Sequence, residues 1–444
     1  MPLFLAIMAS TDLEPLLYGS HTSNLPQNSW LGHVQSRVPL LNLIFNAMPD
    51  FYPPRMTPIL VRLTQSLSPW LGRSRYRMRL EIAPDCLEKL AAVSEHRLLL
   101  LPNHPTHFDW VALFLLSARG GELFHYLAAY ERFGSLEGRF LQRMGAYSIR
   151  RGMSDRPSVA KTLEILMRPQ CRLVIFSEGG FSFQNDTVMP FRTGGVQCAM
   201  QAMNKLVKQG EPVPDFYALP IAIKYQYIGD MAAVIDSTLA RLEKALWVFP
   251  ASADFYDRLL VVADQVLLGF ERDYGLPIQE TVQRSRNERI VWVKDHILHY
   301  CEQKLEISPN RQDPLRERVY KIQRVLESHS VELAADAPRT YDSISRAAAQ
   351  LLNFNAIYDG YVADSPTSER FLDTLIRLER AVFGIDQPPP KGDRKAIIRI
   401  GDPVNLKDSF ELYQQQRSVV VDRLTENLRQ RVQENLDLVS STAR

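Results

Sequence analysis

Cysteine is scarce: Cys86, Cys171, Cys198 and Cys301 are the four among 444 residues, and none is paired as C-x-x-C. That spacing excludes a disulfide framework and a cysteine zinc site, and it fits a reducing cytosol. An excess of charge is missing as well. Lys and Arg total 52 against 50 Asp and Glu, a net charge of +2, so nucleic acid is not expected as a partner and any anion site must be local. No uninterrupted apolar run approaches the ~20 residues that cross a bilayer. The best stretches, Val38 to Met48 and Met56 to Gly72, are broken by Asn, Pro or Arg. The apolar opening from Met1 to Ser10 has no basic residue before Arg37, so the positive region of a signal peptide is lacking and secretion is not expected. Solenoid repeats and low-complexity tracts are absent too.

What is present describes a folded protein. Hydrophobic residues are 45% and charged residues 23%, with Gly 21 and Pro 28, all within globular averages. The length is about three times the ~150-residue domain prior, so a large core with an insertion, or two to three units, is expected. From Arg97 to Tyr225 short apolar runs alternate with helix-period segments: Leu98 to Leu101, Phe124 to Ala129, Ala146 to Arg150, Leu173 to Phe176 and Tyr217 to Ile223 are the strand-like runs. Asp155-Arg156-Pro157 is a helix start with Pro in its first turn. From Gln226 to about Phe383 only helical periods remain, and Pro388-Pro389-Pro390 ends them as a stiff connector. Ala396 to Ile400, closed by Gly401-Asp402-Pro403, is a lone strand that must return to the earlier sheet, since one strand cannot fold alone. In the tail Asp408 and Glu411 resemble a capping box, and Val420, Leu424, Leu428, Val432 and Leu436 form one helix stripe.

Composition does not explain the run Leu101-Pro102-Asn103-His104-Pro105-Thr106-His107-Phe108-Asp109-Trp110 directly after a strand. Loops at the C-terminal ends of α/β strands are where functional side chains collect. His104 and Asp109 stand about 140° apart on a continuous helix and cannot meet there. They meet if His104 lies in the turn and Asp109 in the first helical turn, leaving one imidazole nitrogen as a base for an alcohol. The alternative is that Asn103 and Asp109 merely cap the helix. A metal hydrolase would need a further histidine that the H-x-x-H-x-D spacing lacks, so no metal is expected and His107 is read as a wall or packing residue.

Further along, the adjacent pair Arg150-Arg151 before Gly152 suits a phosphate, although a solvated surface is the plainer reading. The strand-like run to Phe176 leads straight into Ser177-Glu178-Gly179-Gly180-Phe181, where glycines let a ligand approach the backbone. Arg192-Thr193-Gly194-Gly195 precedes a helix whose N–H groups would suit an anion, or it is a simple entry loop. Pro220, inside a strand-like run, predicts an edge position or a local widening.

In order and spacing, His104 to Asp109, Ile149-Arg150-Arg151, Phe176 to Gly179 and the strand with Pro220 resemble the glycerol-phosphate and lysophosphatidate acyltransferase family. The resemblance covers Arg97 to Tyr225 and resumes at Ala396 to Pro403. It implies a mixed central α/β sheet flanked by helices; together with the periodicities above, this divides the chain into residues 1–78 as an N-terminal helical segment, 79–225 as the catalytic domain, 226–392 as a helical insertion that is long for the family, and 393–444 as a returning strand and C-terminal helix. It also implies transfer of a fatty acyl group from acyl-CoA or an acyl carrier protein to a hydroxyl of a lysophospholipid or glycerol-phosphate-like acceptor, with no cofactor. His104 would be the base and Asp109 its orienter; Arg150, Arg151, Glu178, Gly179, Gly180 and Arg192 would bind the acceptor, and Pro220 would shape the far wall.

One position departs from the family: the Arg that usually follows E-G-x is here Phe181. An apolar group there lowers the local positive potential and suits a bulkier or less charged acceptor. Transacylation between phospholipids, or a catalytically inactive lipid-binding protein of the same fold, remain as alternatives. The N-terminal runs Leu40 to Phe45 and Ile59 to Leu71, with Arg55, Arg62, Arg73, Arg75, Arg77 and Arg79 nearby, predict two apolar helices that either cover the sheet or enter the surface of an anionic membrane from the cytoplasmic side.

Overall fold

The computed structural model describes residues 49–151, 155–310, 312–328, 338–354 and 358–442. The expected helix over Leu40 to Phe45 lies outside them. After an extended entry, Pro58–Ser74 forms α1, with Pro at its first position, where no N–H is needed. Pro69 within this helix cannot satisfy the Gln65 carbonyl, and the Ser68 hydroxyl donates to it instead at 2.7 Å. β1 (Met78–Ile82) and α2 (Cys86–Ala92) are short elements that apolar periodicity does not single out.

Strands and helices then alternate as β2 (Arg97–Pro102), α3 (Asp109–Gly120), β3 (His125–Ala129), α4 (Leu136–Arg143), β4 (Ala146–Ile149), α5 (Arg156–Met167), β5 (Arg172–Val174), α6 (Gly194–Lys208) and β6 (Phe216–Tyr227). α5 opens as the sequence predicts, with Asp155 accepting from the Ser158 N–H. Seven helices follow: α7 (Ala232–Leu246), α8 (Phe255–Asp273), α9 (Ile278–Thr281), α10 (Arg286–Lys304), α11 (Leu315–Ser328), α12 (Pro338–Phe354) and α13 (Ser368–Phe383). They gather around a core of their own, with Leu239, Val262, Ile322, Leu351 and Leu372 fully buried. The chain ends in β7 (Arg394–Ile400), β8 (Val404–Asn405), α14 (Phe410–Gln415) and α15 (Arg417–Thr442).

The sheet has eight strands in the order β1-β7-β6-β2-β5-β3-β4, with β8 paired to β6. β2 runs parallel to β5 and β6, and β3 parallel to β4 and β5, whereas β7 is antiparallel to β6 and parallel to β1. The fold is therefore a mixed α/β sheet flanked, among the described residues, by fifteen helices. β7 rejoins the sheet after the long helical stretch, pairing Ile400 with Ile221 and Arg394 with Tyr227. The α15 stripe Val420, Leu424, Leu428, Val432 and Leu436 is buried against the sheet layer, each residue at most 7% exposed.

Two local expectations change. Asp408 and Glu411 form no capping box: Asp408 sits in a short 3-10 turn, α14 begins at Phe410 without a side-chain cap, and α15 starts afresh at Arg417. Pro220 is not at an edge, because β6 is interior. On one side of β6 the partner changes from β8, opposite Tyr217 and Ala218, to β7, which begins opposite Ile221. Pro220 falls in that gap, where its missing N–H leaves no ladder bond unmade and its carbonyl accepts from Gly401 at 2.9 Å.

Candidate active site

Parallel pairing sets the site. Leu100 of β2 and Val174 of β5 are in register, so the chain leaves both strands at the same edge, and four residues beyond each partner stand His104 and Glu178. The two positions are tied directly, the His104 N–H donating to Glu178 Oε1 at 2.8 Å. Asn103 is buried and bridges to β6 through both Ile223 backbone groups, at 2.9 and 2.7 Å, which holds the loop against the sheet rather than capping α3.

α3 begins at Asp109, so His104 lies in the turn before it and the two side chains meet. His104 Nδ1 is 2.7 Å from Asp109 Oδ2. Asp109 is 0% exposed and also accepts from the Thr106 N–H at 2.9 Å, the Thr106 hydroxyl at 2.7 Å and the Tyr225 hydroxyl at 2.7 Å. An ionised carboxylate offers only acceptors, so the proton of this contact sits on Nδ1 and leaves His104 Nε2 with a free lone pair. The imidazole stacks on Phe176, centroids 4.2 Å apart, and meets Phe181 edge-on at 5.9 Å. Its side chain keeps 16% exposure, against a fully enclosed Asp109.

Glu178 is buried at 2% exposure, and the loss of solvation pushes its carboxyl up to about 8 despite the His104 N–H it accepts. His107 packs on Phe108 and Phe181, and burial pulls its imidazole down to about 3, so it is neutral. Among the described residues no three His, Cys, Asp or Glu side chains are arranged to hold a metal ion.

His104 opens onto a cavity of about 610 Å³, within the usual ligand-pocket range. Leu71, Val111, Phe114, Leu141, Met144 and Ile175 make much of its lining apolar. Cys198 also lines it, with burial raising its thiol to about 11, so it is no thiolate nucleophile at neutral pH. Of the acceptor residues expected from sequence, Arg151, Gly179, Gly180 and Arg192 line the cavity, while Glu178 braces its loop from beneath. Arg150 is not among the lining residues; its guanidinium lies over the Tyr130 ring at 4.3 Å and 3.4 Å from Asp50 Oδ1. The Gly179 position is needed as glycine: φ is +73°, and a Cβ there would stand 2.4 Å from Arg192 Nε.

Several site residues are invisible to the sequence. Thr106 lies inside the motif loop, but nothing local marks its two bonds to Asp109. Tyr225 reads as an ordinary strand residue. The far wall comes from the helical stretch, through Arg316, Tyr320 and Gln323 of α11 and Arg380 of α13. Arg380 lies over both Phe181 and Phe183, at 5.4 and 4.9 Å, so the apolar substitute for the usual arginine is itself covered by one. Helices rich in Arg and Glu look like solvated faces, and no periodicity distinguishes these members.

Residues 83–224 match the family model described as Acyltransferase. The α/β unit is accordingly an acyltransferase domain, and the protein is an acyltransferase. The match ends within β6, so the helices from α7 and the returning β7 lie beyond it. No curated protein matches the chain.

Proposed function

We propose that the protein is an O-acyltransferase that moves a fatty acyl group from acyl-CoA or acyl carrier protein to a hydroxyl of a glycerolipid precursor, with a lysophosphatidate-type acceptor favoured. The observation that carries this reading is the 2.7 Å contact of His104 Nδ1 with Asp109 Oδ2 at the wall of a lipid-sized, largely apolar cavity. His104 Nε2 takes the proton of the acceptor hydroxyl as its oxygen attacks the thioester carbonyl. The tetrahedral intermediate collapses by breaking the C–S bond, and the imidazolium returns its proton to the departing thiolate. Asp109 holds the tautomer and steadies the transient imidazolium. Neither a covalent acyl-enzyme nor a cofactor is required.

A place at the cytoplasmic face of a membrane follows from the same reading, since the acceptor resides there. α1 supports it. Its inner face, with Thr64, Ser68, Leu71 and Gly72, lines the cavity, while Ile59, Leu63, Leu67 and Trp70 form an outward stripe exposed by 84, 59, 42 and 62%. Arg55, Arg62 and Arg73 flank that stripe and suit anionic headgroups. Among the described residues no helix is long and apolar enough to cross a bilayer. Purified protein incubated with labelled acyl-CoA or acyl carrier protein thioesters and a panel of lysolipids tests the function. Thioester-dependent product supports it; product formed from phospholipid without thioester indicates transacylation, and binding without product an inactive fold.

A further inference from the structure

α11 belongs to the helical stretch beyond the acyltransferase match, yet two of its side chains one turn apart hold four successive carbonyls of the Glu178–Phe181 loop. Arg316 Nη1 donates to the Glu178 carbonyl at 2.6 Å and the Gly180 carbonyl at 3.0 Å, and its Nη2 reaches that of Phe181 at 3.5 Å. The Tyr320 hydroxyl donates to the Gly179 carbonyl at 2.7 Å. Two further guanidinium groups lie over the Tyr320 ring, Arg192 at 4.7 Å and Arg151 at 5.1 Å from its centroid. Three arginines from two parts of the chain thus converge on one wall of the cavity.

Their counter-charges fall short. Arg192 Nη2 is 2.8 Å from Glu317 and Arg151 Nη2 is 3.4 Å from Glu131, two carboxylates for three guanidiniums. Glu178 beneath them is largely protonated below pH 8. Arg151 Nε and Arg316 Nε are buried and make no hydrogen bond. An excess buried cation with orphaned donors is costly unless an anion joins it. Gly194 and Gly195, at the N-terminus of α6, face the same space with their partial positive charge. A phosphate monoester, with three acceptor oxygens and up to two charges, fits planar guanidinium donors better than a carboxylate does.

We infer that Arg316 and Tyr320 complete, from the helical stretch, a subsite for the phosphate of the acyl acceptor, beside Arg151 and Arg192, and that Arg316 supplies the guanidinium that Phe181 leaves out of the loop. The inference rests on the acceptor reading above and makes the helical stretch a determinant of acceptor choice.

The test uses the full chain with wild type, Arg316→Gln, Arg316→Lys and Tyr320→Phe, one acyl donor, and lysophosphatidate against a monoacylglycerol of the same acyl chain. Arg316→Gln should raise KM for lysophosphatidate about tenfold or more and leave KM for monoacylglycerol within about twofold. Arg316→Lys should recover part of the difference, and Tyr320→Phe, which keeps the ring that Arg151 and Arg192 lie over, should shift KM less. An equal loss on both acceptors would reduce Arg316 to a loop clamp and overturn the inference. A shift in KM for acyl-CoA instead would assign the anion to the donor and overturn it too. Wild type that transfers no acyl group from any thioester sinks the broader function; calorimetry with glycerol 3-phosphate then decides the subsite alone, binding that Arg316→Gln abolishes upholding it and no binding to wild type ending it.

Discussion

The Tyr225 hydroxyl donates to Asp109 Oδ1 at 2.7 Å, joining the last part of β6 to the first residue of α3. With His104 and Thr106 it surrounds a fully enclosed carboxylate by hydrogen-bond donors, which is what allows a buried charge to persist. Arg394 of β7 lies 4.4 Å from the Tyr225 ring centroid, so the strand that returns after the helical stretch braces the same network from behind.

His104→Ala should lower turnover by ~10²–10⁴, the usual contribution of a general base, with unchanged thermal unfolding. Asp109→Asn should fall in the same range, because an amide can donate to Nδ1 and so favour the tautomer whose Nε2 carries the proton. Steady-state thioester release assays check both. Activity of His104→Ala within a few-fold of wild type removes it from the mechanism.

Tyr225→Phe keeps the packed ring and deletes one charge-assisted bond, worth about 1.5–3 kcal/mol. The expected result is a fall of about tenfold or more in kcat with little change in acceptor KM, and a shifted pH–rate profile. A variant that loses stability but keeps kcat and pH profile would make Tyr225 a packing residue only.

Gly179→Ala adds a Cβ 2.4 Å from Arg192 Nε at a backbone φ of +73°. Strain and the displaced guanidinium together should destabilise the fold by about 1–3 kcal/mol, read as a lower urea midpoint. A midpoint equal to wild type would mean that loop and arginine relax freely.

Burial raises the pKa of the Glu178 carboxyl from its ordinary 4.5 to about 8. The folded state therefore holds this proton more tightly than the unfolded chain. Its contribution to stability is complete below pH ~4.5 and is lost as the pH climbs to about 8. Glu178→Gln still accepts from the His104 N–H but cannot ionise, so its stability relative to wild type should grow between pH 5 and 8 by about 2–4 kcal/mol. Parallel urea curves at three pH values measure this; a constant difference would contradict the raised pKa.

Leu63→Glu combined with Leu67→Glu places charge on the outward face of α1 without touching its buried face. Co-sedimentation with anionic vesicles should drop several-fold while the unfolding temperature holds. Undiminished sedimentation would put membrane contact elsewhere.

Much of the acyltransferase domain was legible from short-range pattern. Strands such as Leu98 to Leu101 stand out because parallel interior strands are continuously apolar, and α5 because Asp155 and Pro157 mark its start. His104 and Asp109 were legible because both belong to one loop, where an unusual cluster of chemistry follows a strand. β1 and β8 were not, being too short and too polar to carry a period. Asp408 with Glu411 misled, since a capping-box spacing has no force where the chain has already entered a 3-10 turn.

By itself the amino-acid order settled the α/β rhythm, the His–Asp loop and the need for the late strand to find partners, all properties of neighbours along the chain. Packing alone decided that Tyr225 would reach Asp109 across 116 positions and Arg316 the Glu178 carbonyl across 138. Propensity and spacing act within a few residues, whereas those two contacts exist only once a sheet register and a helix docking have brought distant segments together.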